Sequence, residues 1–239
     1  MGTLLIVRHA QASFMAANYD QLSALGETQA RLLGATWAAN NMQFDRVCSG
    51  PRIRQKYTAE LVGAAFQAAG HNFPDVAVYP EFDEYHAEAV MQAALPILLE
   101  TKEDARRLQE AFANAVEPGE RHLTFQHLFE YVIARWVRCD LQLDGVESWV
   151  DFCSRVNAGL ERFLATQMRS ERVAIFTSAG PMAVALQRAL FISPEATLQM
   201  SWMPRNSSWS EFLYSPRKFT LSSFNAYGHL VEPFHLTYR

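Results

Sequence analysis

An arginine–histidine pair, Arg8-His9, stands directly after the apolar run Thr3-Leu4-Leu5-Ile6-Val7. That run, with β-branched Ile6 and Val7, predicts a buried strand. Ligands of open α/β sheets collect beyond the carboxyl ends of strands, so the pair is well placed for chemistry. An imidazole there could act as nucleophile or proton carrier, and a neighbouring guanidinium offers a planar fork to phosphate or carboxylate. The chain is rich in such forks: of 21 basic residues only Lys56, Lys102 and Lys218 are lysines, leaving 18 arginines. Codon bias explains most of that excess at least as well, and an isolated Arg-His pair is ordinary, so the weight falls on what surrounds it.

The surroundings form three blocks. The first is LLIVRHAQASF followed by Tyr19-Asp20-Gln21-Leu22-Ser23-Ala24-Leu25-Gly26 and Gln29-Ala30. It resembles the opening of the histidine phosphatase (phosphoglycerate mutase-like) superfamily: a strand, Arg-His-Gly, then a Leu-Thr/Ser-x-x-Gly-x-x-Gln-Ala helix start. The second, from Cys48-Ser49-Gly50-Pro51-Arg52 through Ile53-Arg54-Gln55-Lys56-Tyr57 to Thr58-Ala59-Glu60, is similar to that family's Ser-x-x-x-Arg-x-x-x-Thr-Ala-Glu segment. The resemblance makes Arg54 the second phosphate arginine, with Arg52 the less well aligned candidate. The third, Pro80-Glu81-Phe82-Asp83-Glu84-Tyr85, is similar to the segment that carries the family's acid; Glu84 aligns best and Glu81 is the alternative. Weaker matches are Gly145-x-Glu147-Ser148 before a helix with Arg155, Asn206-Ser207-Ser208, and Asn225 with His229-Leu230. The likeness covers almost the whole chain in the family's order.

What the resemblance implies is a metal-independent phosphomonoester hydrolase with no cofactor. Neutral His9 would attack phosphorus in line and form a phosphohistidine. Arg8 and Arg54 would disfavour imidazolium and hold the non-bridging oxygens. A carboxylic acid at Glu84 would protonate the leaving alkoxide and later deprotonate water. The guanidinium groups would supply the charge that Mg²⁺ supplies in other phosphoryl-transfer enzymes. Gln11, Ser13 and Ser178 are candidate substrate contacts, with Gln11 and Ser13 equally readable as plain loop polars. The expected ligand is a phosphorylated small molecule or phosphopeptide.

One position breaks the pattern. The family's second histidine should follow a later strand in a Val-Ser-His-Gly setting, but the text here is Ile175-Phe176-Thr177-Ser178-Ala179-Gly180-Pro181, with Ala179 in its place. Losing one preorganised donor typically costs ~10²–10³ in rate, which leaves a slow phosphatase. Ser178, amides near Gly180, or His86 are candidate compensations. The rival reading is a pseudophosphatase that binds phosphorylated ligands without efficient turnover; a phosphoglycerate-type mutase ranks lower. Met15, where many relatives carry Asn, removes a further phosphate contact.

The elements that must position these residues follow from periodicity and breaks. Helices are expected over Thr28–Asn40, Ile53–Ala69, Trp149–Met168 and from Pro181, where proline sits at a favoured early position. Strands are expected at Thr3–Val7, Phe44–Ser49, Val76–Tyr79, Arg172–Thr177, Leu198–Met203, Trp209–Leu213 and Thr220–Asn225. This alternation implies one α/β domain, a three-layer sandwich with a mostly parallel sheet. A mostly helical insertion over about 87–145 would form a lid on the site.

Composition excludes other classes. The 239 residues are 49% hydrophobic and 19% charged with a net charge of −4, which fits a globular chain rather than a disordered or polyanion-binding one. Three cysteines, Cys48, Cys139 and Cys153, form no C-x-x-C pair, so neither a disulfide framework nor a zinc site is expected. No membrane span or signal sequence is recognisable, which points to a cytoplasmic location. His122 and His127 lack the i, i+4 spacing of a helical metal pair, and Glu84 with His86 would share a strand face only by common chance. Neither a Gly-rich Lys-Ser/Thr phosphate loop nor an aromatic RNA-binding motif is present, so no nucleic-acid partner is expected. Dimerisation through aromatic residues is left open.

Overall fold

The computed structural model describes residues 1–13, 20–165 and 170–238. Along the chain run β1 (Gly2–Arg8), α1 (Ala24–Ala39), β2 (Arg46–Ser49), α2 (Ile53–Ala68) and β3 (Val76–Val78). They are followed by α3 (Ala87–Thr101), α4 (Glu103–Asn114), α5 (Pro118–Val137), α6 (Trp149–Leu164), β4 (Arg172–Thr177), α7 (Ala179–Leu190), α8 (Pro194–Ser201), β5 (Trp209–Ser215) and β6 (Lys218–Ala226). Met15 and the last residues of the helix expected to reach Met168 lie outside the described residues.

The described chain divides into two compact units, Met1–Glu84 with Arg155–Arg239, and Tyr85–Ser154. The first holds a six-stranded sheet in the order β3-β2-β4-β1-β5-β6. β1, β2, β3 and β4 are mutually parallel, while β5 runs antiparallel to β1 and β6 antiparallel to β5. The expected α/β architecture with a mostly parallel sheet is what the fold shows.

Period-two alternation explains why these strands are apolar throughout. Leu5 and Val7 of β1 and Ala174 and Phe176 of β4 join a core with Ala30, Leu33 and Trp37 of α1 and Val62 and Phe66 of α2. The alternate residues Leu4, Ile6, Val173 and Ile175 are equally buried on the opposite face, and α7 packs against β1 and β6. A strand with both faces covered cannot alternate polar and apolar, hence the continuous runs LLIV and VAIF.

One expected strand is a helix instead. Residues 198–203 belong largely to α8, whose N-cap Ser193 accepts a hydrogen bond from the Ala196 amide, with Pro194 at the first helical position. Capping and a fixed proline φ outweigh the short alternation that suggested a strand.

The second unit is helical. Its core joins Ala94 and Leu98 of α3, Ala105 of α4, and Leu128 and Val132 of α5. Tyr85, Trp136, Trp149 and Phe152 form a further aromatic cluster, with Tyr85 and Trp136 ring centroids 5.0 Å apart. Among the described residues no helix is long and apolar enough to cross a membrane.

Candidate active site

Because β1, β2 and β4 are parallel neighbours, the chain leaves all three at one edge of the sheet. β5 is antiparallel, so its start lies at that same edge, with Trp209 opposite Val7. The segments after Arg8, Ser49 and Thr177 therefore converge with the segment before Trp209.

His9 sits at the centre and is clamped through its backbone. Its amide donates to the Thr177 carbonyl at 2.7 Å, and its carbonyl accepts from the Ser207 amide and Asn206 Nδ2, each at 3.3 Å. The imidazole is defined from both sides. Nδ1 lies 2.8 Å from the Ala10 carbonyl, which can only accept, so Nδ1 carries the proton. Arg54 Nε donates to Nε2 at 3.1 Å, so Nε2 presents its lone pair. Burial, then the charges of Arg54 and Arg8, hold the imidazole well below its ordinary pKa; the Ala10 carbonyl opposes them, and Arg52 adds a smaller push downward. His9, Arg8 and Arg54 are 6%, 8% and 5% exposed, so these charges act in a largely dry setting.

The two arginines are held differently. Arg8 donates from Nη1 to the Pro204 carbonyl, and its amide donates to Ser208 O at 2.9 Å. Arg54 lies in the first turn of α2, and its Nη1 reaches Asp20 Oδ1 at 2.8 Å. Arg52, the alternative in the sequence, pairs with Asp83 and donates to the Glu84 carbonyl at 3.2 Å. Its charge is felt by His9, while its hydrogen bonds tie the segment that carries Glu84.

The acid candidates also separate. Glu84 Oε2 accepts from the Gly180 amide at 3.0 Å, at the first turn of α7. Glu81 Oε2 accepts instead from Arg162 Nη2 at 2.8 Å. A 3₁₀ turn over Pro80–Phe82 sends these two side chains apart. Arg155 Nη1 fixes the turn from outside by donating to the carbonyls of Glu81 at 3.0 Å and Asp83 at 3.2 Å.

Ser178 Oγ, fully buried, accepts from Gln55 Nε2 at 2.8 Å. Gln55 also donates to the Phe82 carbonyl at 3.3 Å and accepts from the Arg52 amide at 3.1 Å, so it joins the segments after β2, β3 and β4. Ala179 is the first residue of α7. His86 lies in the helical unit, at the N-cap of α3.

Gln11 and Ser13 follow His9. Ser13 donates its amide to the Gln21 carbonyl at 2.8 Å. Gln11 Oε1 accepts from Ser23 Oγ at 2.8 Å, and its amide donates to Gln29 Oε1 at 2.9 Å. Buried Gln29 passes the link on, donating to the His235 carbonyl at 2.7 Å and Thr237 Oγ1 at 2.9 Å. Ser23 also caps α1 by accepting from the Gly26 amide at 3.0 Å. Gly26 lies so close to the Gln11 carbonyl that a Cβ would collide with it. The Leu-Ser-x-x-Gly-x-x-Gln text is therefore the latch that holds the backbone after the histidine. Thr58 completes it: its hydroxyl donates to Arg54 O at 2.6 Å and accepts from the Ala10 amide at 3.1 Å.

Reading the sequence alone missed Gln29, Gln55, Thr58 and Asp20 as supports of the site. All four stand inside the quoted blocks, so their presence there was the available signal. Among the described residues no three His, Cys, Asp or Glu side chains gather closely enough to hold a metal ion.

Comparison with known proteins agrees with the fold. The model of the histidine phosphatase superfamily (branch 1) matches residues 4–127 and 87–227. Among solved structures, a phosphoserine phosphatase from Entamoeba histolytica superposes with a TM-score of 0.62 at 17% identity, covering 97% of this chain and 100% of its own. The alpha-ribazole phosphatase from Shigella flexneri gives 0.61 at 21% identity, covering 96% and 99%. A phosphoglycerate mutase from Bacillus anthracis gives 0.59 at 15% identity, covering 95% and 94%. No curated protein matches the chain in sequence.

Proposed function

The chain belongs to the histidine phosphatase superfamily, and we propose that it hydrolyses phosphomonoesters without a metal, through a phosphohistidine on His9. The observation that carries this reading is the imidazole itself: buried, held neutral beside two arginines, with Nδ1 protonated against Ala10 O and the Nε2 lone pair facing Arg54. That is the protonation state a nitrogen nucleophile needs.

In the first step Nε2 attacks phosphorus, the Nε2–P bond forms and the ester P–O bond breaks. Protonated Glu84 gives its proton to the leaving alkoxide. Nδ1 keeps its proton, and the Ala10 carbonyl stabilises the cationic ring. In the second step water attacks phosphorus, Glu84 carboxylate takes a proton from it, and the electron pair of the N–P bond returns to Nε2. Arg8 and Arg54 hold the non-bridging oxygens throughout, where burial strengthens their charge. With Ala179 in place of an imidazole, the β4 end lacks that side-chain donor: the Gly180 amide is taken by Glu84 Oε2, and the Ser178 hydroxyl is buried against Gln55. Turnover is therefore expected to be slow, on a phosphorylated small molecule or phosphopeptide.

Ala179 also favours a second reading, a module that binds phosphate esters without releasing phosphate. Rapid-quench mass spectrometry with p-nitrophenyl phosphate separates the two. The hydrolase predicts a phosphoryl adduct on the His9 peptide, absent in His9→Ala, and turnover raised ~10²–10³-fold by Ala179→His. Ester binding without adduct or turnover in wild type or Ala179→His supports the binding module and refutes the hydrolase.

A further inference from the structure

Asp20 belongs to none of the catalytic assignments above, yet both its carboxylate oxygens are committed to the segment that carries Arg54. Oδ1 accepts from Arg54 Nη1 at 2.8 Å. Oδ2 accepts from the Ile53 amide, also at 2.8 Å, which is the first residue of α2. One carboxylate thus caps the helix start and grips the guanidinium that projects from the helix's next residue. A negative side chain at a helix N-terminus is well matched to the exposed amides and the dipole there. The cap offered by the chain itself is Arg52, a residue type with no acceptor of its own. Asp20 supplies the acceptor from across the fold, on the segment leading into α1.

The far side of the same guanidinium meets the nucleophile, with Nε donating to His9 Nε2 at 3.1 Å. In this resting arrangement the lone pair that must attack phosphorus is occupied by an N–H. The bond has to be given up as Nε2 forms its bond to phosphorus, because the lone pair then lies in the N–P bond. Arg54 Nε is left with a proton and no acceptor on the ring, beside newly arrived phosphoryl oxygens. A guanidinium held at Nη1 can make that exchange by a small rotation about its anchor. One held only by its flexible side chain would have to find the oxygens again, at a cost in orientation.

We infer that Asp20 is the positioning residue for Arg54: it holds Nη1 so that the guanidinium stays on His9 Nε2 at rest and passes to the phosphoryl oxygens as the nucleophile attacks. The inference rests on the phosphate-handling reading of the site and deepens it. Asp20 does not touch substrate; it acts through Arg54. The aspartate is partly exposed, whereas Arg54 is buried, so what the pair contributes is geometry more than attraction.

The test is a double-mutant cycle read by binding, so that it needs no turnover. Orthovanadate, which adopts the five-coordinate geometry of phosphoryl transfer, and inorganic phosphate are titrated calorimetrically into wild type, Asp20→Asn, Arg54→Ala and the double variant. Thermal unfolding of each reports folding. Asp20→Asn keeps one acceptor oxygen where the carboxylate has two and removes the negative charge that faces Arg54 Nη1. The expectation is a vanadate affinity lower by about 10-fold to 10²-fold in Asp20→Asn, the range a misplaced group commonly costs. Phosphate affinity should change less. The double variant should bind vanadate no more weakly than Arg54→Ala alone, since a residue that acts through Arg54 has nothing left to act on. Unchanged vanadate affinity in folded Asp20→Asn overturns the inference, as does full additivity in the double variant. If wild type binds neither anion, the phosphate reading fails first, and the inference falls with it.

Discussion

Two buried histidines give the fold an acid sensitivity that can be worked out beforehand. His9 is held well below its ordinary pKa by burial and then by Arg54 and Arg8. His229 is lowered to about 4, by burial first and then by the charge of His235. Its Nε2 lies 3.1 Å from Ser207 Oγ, within the segment that also clamps the His9 carbonyl. In an unfolded chain each imidazole titrates near ~6.5. For a group whose folded pKa is depressed, the unfolded state binds more protons below the unfolded value, so stability falls as pH drops through ~6.5 and continues to fall until the folded pKa is reached. For His229 the loss from pH 7 to pH 5 is about 2 kcal/mol, and His9 adds a loss of the same sign. Urea unfolding of wild type, His9→Gln and His229→Gln at both pH values measures this, with fluorescence and circular dichroism required to coincide because the chain has two compact units. The quantity compared is the change with pH within each protein, which cancels the cost of the substitution itself. His229→Gln should lose about 2 kcal/mol less than wild type across the interval, and His9→Gln should also lose less than wild type. A His9→Gln protein with the same pH dependence as wild type would refute the claim that His9 is buried in its neutral form.

Two further substitutions probe how the site is built. Glu84→Gln should lower kcat by ~10²–10⁴ towards an alkyl phosphomonoester, the usual worth of a positioned acid, whereas Glu81→Gln, whose carboxylate pairs with Arg162, should leave kcat within a few-fold of wild type; equal losses in both would mean the acid is misassigned. Gly26→Ala should destabilise the chain by about 1–3 kcal/mol, the range for forcing extra volume into a packed place, because its Cβ meets the Gln11 carbonyl; a melting temperature and an activity equal to wild type would show that the latch after His9 yields freely.

The strands of the sheet were recoverable from sequence where burial on both faces left continuous apolar runs, as in Leu4–Val7 and Val173–Phe176. The segment Leu198–Met203 was not, because its apolar residues fit a strand as well as a short helix. The decision came from Ser193 and Pro194, upstream of the window that suggested alternation. The choices between Arg52 and Arg54, and between Glu81 and Glu84, had a different origin. Alignment to the motifs preferred Arg54 and Glu84, but residues two or three apart stand in one motif and local backbone geometry is what aims them. The first turn of α2 directs Arg54 to His9 while Arg52 turns to Asp83. The 3₁₀ turn at Pro80 sends Glu81 to Arg162 and leaves Glu84 for Gly180. The supports were hidden for a third reason. Gln29 meets the Thr237 hydroxyl, more than two hundred residues away in the chain, and Gln55 meets Ser178, neither spacing being periodic.

The burial of charge at the β1 end bears on whether the chain still handles phosphate despite Ala179. Taking a guanidinium out of water costs several kcal/mol even after relaxation, and apolar replacements of similar volume commonly stabilise a fold. Here Arg8 and Arg54 are both less than a tenth exposed and stand beside an imidazole that they help to keep neutral. Stability alone would be better served by other residues at all three positions. The arrangement lowers its free energy when an anion enters, since a phosphoryl group returns to the two guanidinium groups the interaction they gave up with water. Phosphate binding is thus what Arg8, His9 and Arg54 argue for as a group, in the hydrolase and the binding-module readings alike. The two readings part at the other strand end, where the Gly180 amide holds Glu84 and Ala179 offers no donor of its own side chain. A histidine placed at 179 therefore tests turnover while leaving Arg8, His9 and Arg54 as they are.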